Sequence, residues 1–257
     1  MEEIRTKRQL KTWMQALMLA ALLMFCPVSV LWTGEENQEP EERLTEGYAA
    51  ESEEVSAREE TTHPQERAPA EEKPRIALTF DDGPNDAYTP VLLDGLKERG
   101  ARVTFFVIGA NIEKEDNVSL IKRMLEEGHV IGNHTYHHVD LSEMDPADAL
   151  KELDMTDSLI EDITGERPLF VRPPFGAFPQ GREKEDKLYV KWTVDSEDWV
   201  TRNAEAVVRK VVTDAEENDI ILMHDCYETS VEAALQIVDI LQEKGYEFVT
   251  VEELLID

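Results

Sequence analysis

The chain has little sulfur and few positive charges, and each scarcity closes a class of function. Only Cys26 and Cys226 occur among 257 residues, and Cys26 falls inside an apolar run, so no disulfide framework staples this fold. Lys and Arg together number 26 against 56 Asp and Glu, a formal charge of −30. Phosphate neutralisation needs clustered basic side chains, so nucleic acids and other polyanions are excluded as partners. What is present is a hydrophobic content of 41%, enough for a packed core of one large domain or two small ones.

Three regions follow from composition. In 13–32 only Gln15 and Ser29 are polar. At ~1.5 Å per residue such a run is ~30 Å long as a helix, one bilayer core. Arg5, Lys7, Arg8 and Lys11 precede it, which favours a cytoplasmic N-terminus and an extracytoplasmic location for everything after residue 33. A soluble core helix would be amphipathic, and this run is apolar all round. A cleaved signal peptide, giving a secreted protein, is the nearer rival. No A-x-A-like site occurs in 28–32, and Phe25 stands before Cys26 where a lipoprotein signal would want a small residue, so 1–33 is expected to be a retained membrane anchor.

Residues 34–74 hold fourteen Glu, four basic residues and four prolines, with almost nothing apolar. Such a segment cannot bury enough surface to offset its ordering entropy, so it is expected to be a disordered, self-repelling tether, with His63 solvated. As a flexible coil it would reach ~35 Å. The +2 of residues 1–33 and the −10 of the tether leave −22 of the total −30 for 75–257, the expected folded domain. That charge is read as a solubilising surface rather than as steering for a cationic ligand.

Within 75–257, short apolar runs at 76–80, 103–108, 130–132, 169–171, 189–194, 220–223 and 247–251 read as strands. Helix-period segments separate most of them, at 88–99, 117–127, 146–163, 204–217 and 230–244. Alternation of this kind means an α/β fold of parallel strands with right-handed crossovers. Gly100, Gly128 and Gly245 stand where helix C-caps are expected, and Asp145-Pro146 reads as an N-cap followed by proline. About seven strands in ~180 residues fit a small or incomplete barrel better than an open two-layer sheet, and either architecture gathers the C-terminal strand ends on one rim.

Polar clusters follow these strands. The first run leads into Asp81-Asp82-Gly83-Pro84, which taken alone reads as an Asx-turn. The third leads into His134-Thr135-Tyr136-His137-His138. If this segment turns helically, His134 and His138 share a face, and a carboxylate from another strand would complete a two-histidine-one-carboxylate metal set with open positions. His137 lies off that face as a rim residue, and His129 reads as packing. The fourth leads into Arg172-Pro173-Pro174-Phe175-Gly176, where the Phe175 and Gly176 N–H groups are candidates for an oxyanion site. Asp195-Ser196-Glu197-Asp198-Trp199 and Leu222-Met223-His224 follow the later strands. Five polar clusters on one rim are hard to explain by packing.

Over about 75–255 these motifs resemble the polysaccharide deacetylase family of the NodB homology type, carbohydrate esterase family four. The match runs in order through Thr-Phe-Asp-Asp-Gly-Pro at 79–84, His-Thr-x-x-His at 134–138, Arg-x-Pro-Phe-Gly at 172–176, Asp-x-x-Asp-Trp at 195–199 and Leu-x-His at 222–224. The resemblance implies a deformed (β/α) barrel and one divalent metal ion, zinc first and cobalt or another transition metal next, held by Asp82, His134 and His138. It further implies Asp81 as general base held by Arg172, and His224 as general acid held by Asp198. Phe175 would lend an oxyanion N–H, and Trp199 and Leu222 would wall the acetyl methyl. The implied activity is metal-dependent removal of N-acetyl groups from N-acetylglucosamine residues of a cell-envelope glycan, peptidoglycan foremost; separately, the chain is expected to be a monomer.

Two departures from the family pattern stand out. Only fifteen residues separate Gly176 from Trp192, with a charged run at 182–187, so a helix is expected to be shortened or lost there and the barrel opened. Val139 replaces a frequent proline, a change expected to alter loop stiffness rather than ligation. Cys226 is read as a small packed residue. Two rival functions stay open: an O-deacetylase of acetylated xylan or another polymer, and a non-catalytic glycan-binding envelope protein.

Overall fold

The computed structural model describes residues 73–114, 116–178 and 184–256. The expected anchor at 13–32, and the tether at 34–74 except its last two residues, lie outside the described residues. Among the described residues eight parallel strands form one sheet: β1 (Arg75–Asp81), β2 (Thr104–Val107), β3 (Val130–Asn133), β4 (Phe170–Val171), β5 (Leu188–Tyr189), β6 (Val194–Asp195), β7 (Ile220–His224) and β8 (Glu247–Val249). Their order is β5-β4-β3-β2-β1-β7-β6, and β8 pairs with the first half of β1. The central strand β1 is buried from Ile76 onward, which is why it reads as one continuous apolar run.

The sheet is an open half-barrel, and chain length alone requires the curl. Laid flat, seven strands at ~4.8 Å spacing would hold the β5 and β6 edges ~29 Å apart. Four residues, 190–193, join Tyr189 to Val194 and can reach no more than ~18 Å. The expected strand at 189–194 is thereby corrected: it is two short strands on opposite edges with a crossing between them. Val190 N–H still donates to the Val171 carbonyl and Thr193 N–H to the Ile220 carbonyl (both 2.9 Å), and between them the chain spans the opening, where Arg172 donates from Nε to the Val190 carbonyl (3.3 Å) and from Nη2 to the Lys191 carbonyl (3.2 Å).

The helices are α1 (Thr89–Arg99), α2 (Gly109–Ile112), α3 (Asn117–Glu126), α4 (Pro146–Thr164), α5 (Asp198–Thr201), α6 (Ala204–Asp214), α7 (Glu228–Glu243) and α8 (Val251–Leu255). Helix α4 starts as its sequence demands, with the Asp145 side chain accepting from the Ala147 N–H at 3.0 Å and Pro146 in the first turn. Gly100 closes α1 in the left-handed conformation, φ 60°. Val251, expected in the last strand, instead opens α8, because Thr250 and Glu253 form a capping box. The main core packs Leu92 and Leu96 of α1 and Ile237 and Leu241 of α7 against Ile76, Leu78 and Phe80. Among the described residues no helix stands between Gly176 and β5, in keeping with the shortened segment.

Candidate active site

Because the strands are parallel, their C-terminal ends share one rim, and Asp81, Asn133, Val171, Asp195 and His224 are the last residues of β1, β3, β4, β6 and β7. Asp82 follows β1 with φ 74°, a left-handed conformation that turns it away from the strand path of Asp81. Its Oδ1 lies 3.4 Å from His134 Nε2 and 3.1 Å from His138 Nε2, is buried, and accepts no hydrogen bond. One ligand atom each from Asp82, His134 and His138 lies within 4.8 Å of the others. Burial pushes Asp82 up, but the two imidazoles outweigh it and hold the carboxyl well below the usual range.

The chemistry of this trio fits a divalent cation. His134 Nδ1 is 2.5 Å from the Arg172 carbonyl oxygen, which can only accept, so Nδ1 bears a proton and Nε2 is the nitrogen turned to Asp82 Oδ1. A positive charge between that nitrogen and the carboxylate oxygen, a proton or a metal ion, satisfies both. Two imidazole nitrogens and one carboxylate oxygen are a donor set that suits zinc or cobalt and leaves positions open.

The two histidines meet by a bend, not by the helical turn their spacing suggests. The carbonyls that a helical turn would use are taken from outside it, Gly109 N–H donating to the Thr135 carbonyl (3.0 Å) and Ala110 N–H to the Tyr136 carbonyl (2.9 Å), while side chains hold the first N–H groups. Asn133 Oδ1 accepts from Thr135 N (2.7 Å), and Glu152 Oε2 on α4 accepts from Tyr136 N (3.1 Å) and His137 N (2.8 Å). Thr135 and His138 take φ of 65° and 57°. His137 pairs with Glu152 Oε1 at 2.8 Å on the rim, away from the trio. Val139 N–H donates to Thr135 Oγ1 at 3.3 Å, a bond that proline could not make.

On one side of the trio, Arg172 donates from Nη1 to Asp81 Oδ1 (2.9 Å) and to Thr79 Oγ1 (2.7 Å). Its guanidinium lies 4.1 Å over the Phe106 ring and the residue is entirely buried. A planar fork with several fixed donors suits this role. Asp81 Oδ2 remains, 3.8 Å from His134 Nε2. On the other side, His224 Nε2 stands 4.0 Å from Asp82 Oδ2, and its Nδ1 is 2.8 Å from Asp198 Oδ1. Burial pulls His224 down, yet Asp198, then Asp81 and Asp82, outweigh it and raise the imidazole to about 9.

The trio, Asp81 and His224 line a cleft of about 420 Å³ with Phe175, Trp199 and Leu222, and Arg172 and Asp198 stand behind it. Phe175 is 69% exposed, adopts φ 60° and sets its ring edge-on to His138 at 4.8 Å. Of the two expected oxyanion donors, the Gly176 N–H is taken by the Pro173 carbonyl at 3.1 Å, because residues 174–176 close a 3₁₀ turn; Phe175 remains. Trp192, Asp195 and Tyr227 also line the cleft and were not singled out by sequence. Asp195 stood in a quoted motif, whereas Trp192 lay in a run read as strand. Cys226 is no nucleophile, since burial pushes its thiol up to about 12.

The polysaccharide deacetylase family model matches residues 68–188. Peptidoglycan-N-acetylmuramic acid deacetylase PdaC of Bacillus subtilis is 40% identical over 198 residues, 77% of this chain and 40% of that protein. A solved structure of PdaC superposes with a TM-score of 0.68 at 41% identity, covering 71% of this chain and 90% of that one. Peptidoglycan-N-acetylglucosamine deacetylase PgdA of Listeria monocytogenes is 41% identical over 181 residues, 70% of this chain and 38% of that protein. A family 4 acetyl xylan esterase from Clostridium thermocellum, solved with a cobalt ion, gives a TM-score of 0.65 at 32% identity, covering 70% of this chain and 89% of that one. The chain belongs to the polysaccharide deacetylase family. It spans about two fifths of the length of the two curated relatives.

Proposed function

We propose that this chain is a metal-dependent hydrolase that removes N-acetyl groups from N-acetylglucosamine residues of a cell-envelope glycan, peptidoglycan foremost. The observation that carries the reading is the flanked trio: Asp82, His134 and His138 converge, with Asp81 held by Arg172 on one side and His224 held by Asp198 on the other. Asp82, His134 and His138 would hold the cation, zinc first and cobalt next, which when bound supplies Lewis acidity toward the acetyl carbonyl and acidifies water. Asp81 Oδ2 takes a proton from the attacking water as its oxygen joins the acetyl carbon, while Arg172 keeps the carboxylate in place. His224 Nε2 then gives a proton to the sugar nitrogen as the C–N bond breaks, leaving acetate and an amine. The Phe175 N–H is the donor left for the developing oxyanion, and Leu222 and Trp199 would wall the methyl.

The names of PgdA and PdaC support peptidoglycan, and the expected anchor at 13–32 with its tether would hold the domain at the outer membrane face. A second reading, O-deacetylation, is favoured by the likeness to an acetyl xylan esterase. The test is acetate release from chitooligosaccharides, intact peptidoglycan and acetylated xylan, with mass spectrometry of muropeptides to tell glucosamine from muramic acid products. Release from xylan alone sinks the N-deacetylase, and release from none of them by a metal-loaded chain leaves the glycan-binding reading.

A further inference from the structure

We propose that the buried Asp157–Lys187 ion pair is a positioning unit for the two-histidine loop, a role that rests on the metal reading above. Asp157 lies on α4 with no solvent exposure. Its Oδ1 accepts from Asn133 Nδ2 at 2.7 Å, and Asn133 Oδ1 accepts from the Thr135 N–H at 2.7 Å, immediately after His134. An ionised carboxylate only accepts, so Asp157 dictates which way the Asn133 amide faces: nitrogen toward α4, oxygen toward the loop. The Leu153 carbonyl, 2.9 Å from the same Nδ2, enforces the same choice. A reversed amide would set oxygen against oxygen and release the Thr135 N–H, and with it the bend that joins His134 to His138.

The counter-charge comes from an unexpected place. Lys187 Nζ is 2.8 Å from Asp157 Oδ2, its side chain is buried, and it also donates to the Pro168 carbonyl. Lys187 closes the charged run just before β5 and neutralises the carboxylate that orients Asn133, with Lys184 Nζ 3.4 Å from the same Oδ2 and held by Asp154 at 2.6 Å. Stability alone does not explain the pair, because a buried ion pair replaced by apolar residues of similar volume commonly leaves a protein as stable or more so. Orientation does explain it, since groups that hold metal ligands in place act through directed hydrogen bonds.

The test uses the full chain and three measurements: thermal unfolding without metal, zinc affinity by chelator competition, and the visible spectrum of the cobalt-loaded protein. Asp157→Leu with Lys187→Met removes both charges together. It is expected to unfold at or above the wild-type temperature, to lose about 10–100-fold in zinc affinity, and to show an altered cobalt spectrum. Adding Asn133→Ala to this pair is expected to cost less affinity than Asn133→Ala costs in the wild type, because Asp157 acts through that amide. Wild-type affinity and spectrum in the double variant overturn the proposal. If the double variant does not fold, Asp157→Asn decides. Its single amide oxygen cannot serve both Asn133 and Lys187, so affinity is expected to fall, and an unchanged affinity overturns the proposal. A wild-type chain that binds no zinc sinks the site reading instead, while a wild type that binds with unaffected variants sinks only this inference.

Discussion

His224 and Asp198 are joined twice: the imidazole Nδ1 is 2.8 Å from Oδ1, and the His224 backbone N–H donates to Oδ2 at 2.8 Å. A general acid must be protonated to act, and a carboxylate held this firmly keeps the imidazolium populated to higher pH. Without metal the imidazole is raised from 6.5 to about 9; a cation at Asp82 offsets part of that, so the basic limb of kcat/KM in the loaded enzyme is expected between these values. Asp198→Asn removes the foremost raising group, and the limb is expected to move down toward 6.5 or below. The same shift bears on folding. A raised folded value gives stability that is complete below 6.5 and is lost as pH rises through about 9, so Asp198→Asn should flatten the fall of Tm across that window. A pH–rate profile whose basic limb ignores the substitution contradicts the pairing.

Arg172 couples Asp81, the proposed base, to the opening of the half-barrel, because one guanidinium holds Asp81, Thr79 and the carbonyls of Val190 and Lys191. Arg172→Met would leave Asp81 as a lone buried charge, a loss of about 3–5 kcal/mol. For a domain of this size that lowers Tm by about 6–20 °C, read by calorimetry on metal-free protein. Arg172→Lys keeps a charge but not the fork, and is expected to lose most turnover while recovering part of the stability.

On the proposed mechanism Asp81 and Asp82, neighbours in sequence, have separate tasks. Asp81→Asn is expected to keep the metal and lose turnover by about 10²–10⁴-fold. Asp82→Asn and His134→Ala are expected to lose both. Chelation of the wild type should abolish activity, and zinc or cobalt should restore it and raise Tm, by about 2.7 kcal/mol of stability at a hundredfold excess over Kd. Metal analysis beside acetate release separates the two aspartates, and an Asp81→Asn protein that loses its metal refutes the division.

Much of this site is legible in the chain because parallel strands put every polar cluster after an apolar run on one rim. Asp81, His134, Arg172 and His224 needed only their place after a strand. The crossing at 190–193 was not legible, since Val190 and Val194 look like strand residues whether or not a neighbour strand lies beside them. Nor was the loop conformation, because spacing of 134 and 138 reports a helical face while Asn133 and Glu152 pin the first N–H groups and Gly109 and Ala110 take the carbonyls that a helix would use. Those supports did leave a signal. The buried stripe of α4 runs Ala149, Glu152, Leu153, Thr156, Asp157, Ile160, and a core-facing stripe has no packing reason to carry two carboxylates.

Gly109 supports the same loop from the opposite side. Its N–H donates to the Thr135 carbonyl at 3.0 Å, and the Ala110 N–H donates to the Tyr136 carbonyl at 2.9 Å. A Cβ at 109 would sit 2.5 Å from Tyr136 Cδ2 and 2.7 Å from Thr156 Oγ1. Thr156 is buried on α4 and cannot retreat, so Tyr136 must move and the loop with it. Gly109→Ala is expected to cost about 1–3 kcal/mol by overpacking and to weaken zinc binding. Gly165→Ala is the matched control: at φ 86° with nothing near its Cβ, it costs about 1–2 kcal/mol of backbone strain far from the loop and should leave zinc affinity alone. Equal zinc affinity in the two variants, at similar losses of Tm, would mean that the contact at 109 does not set the position of His134 and His138.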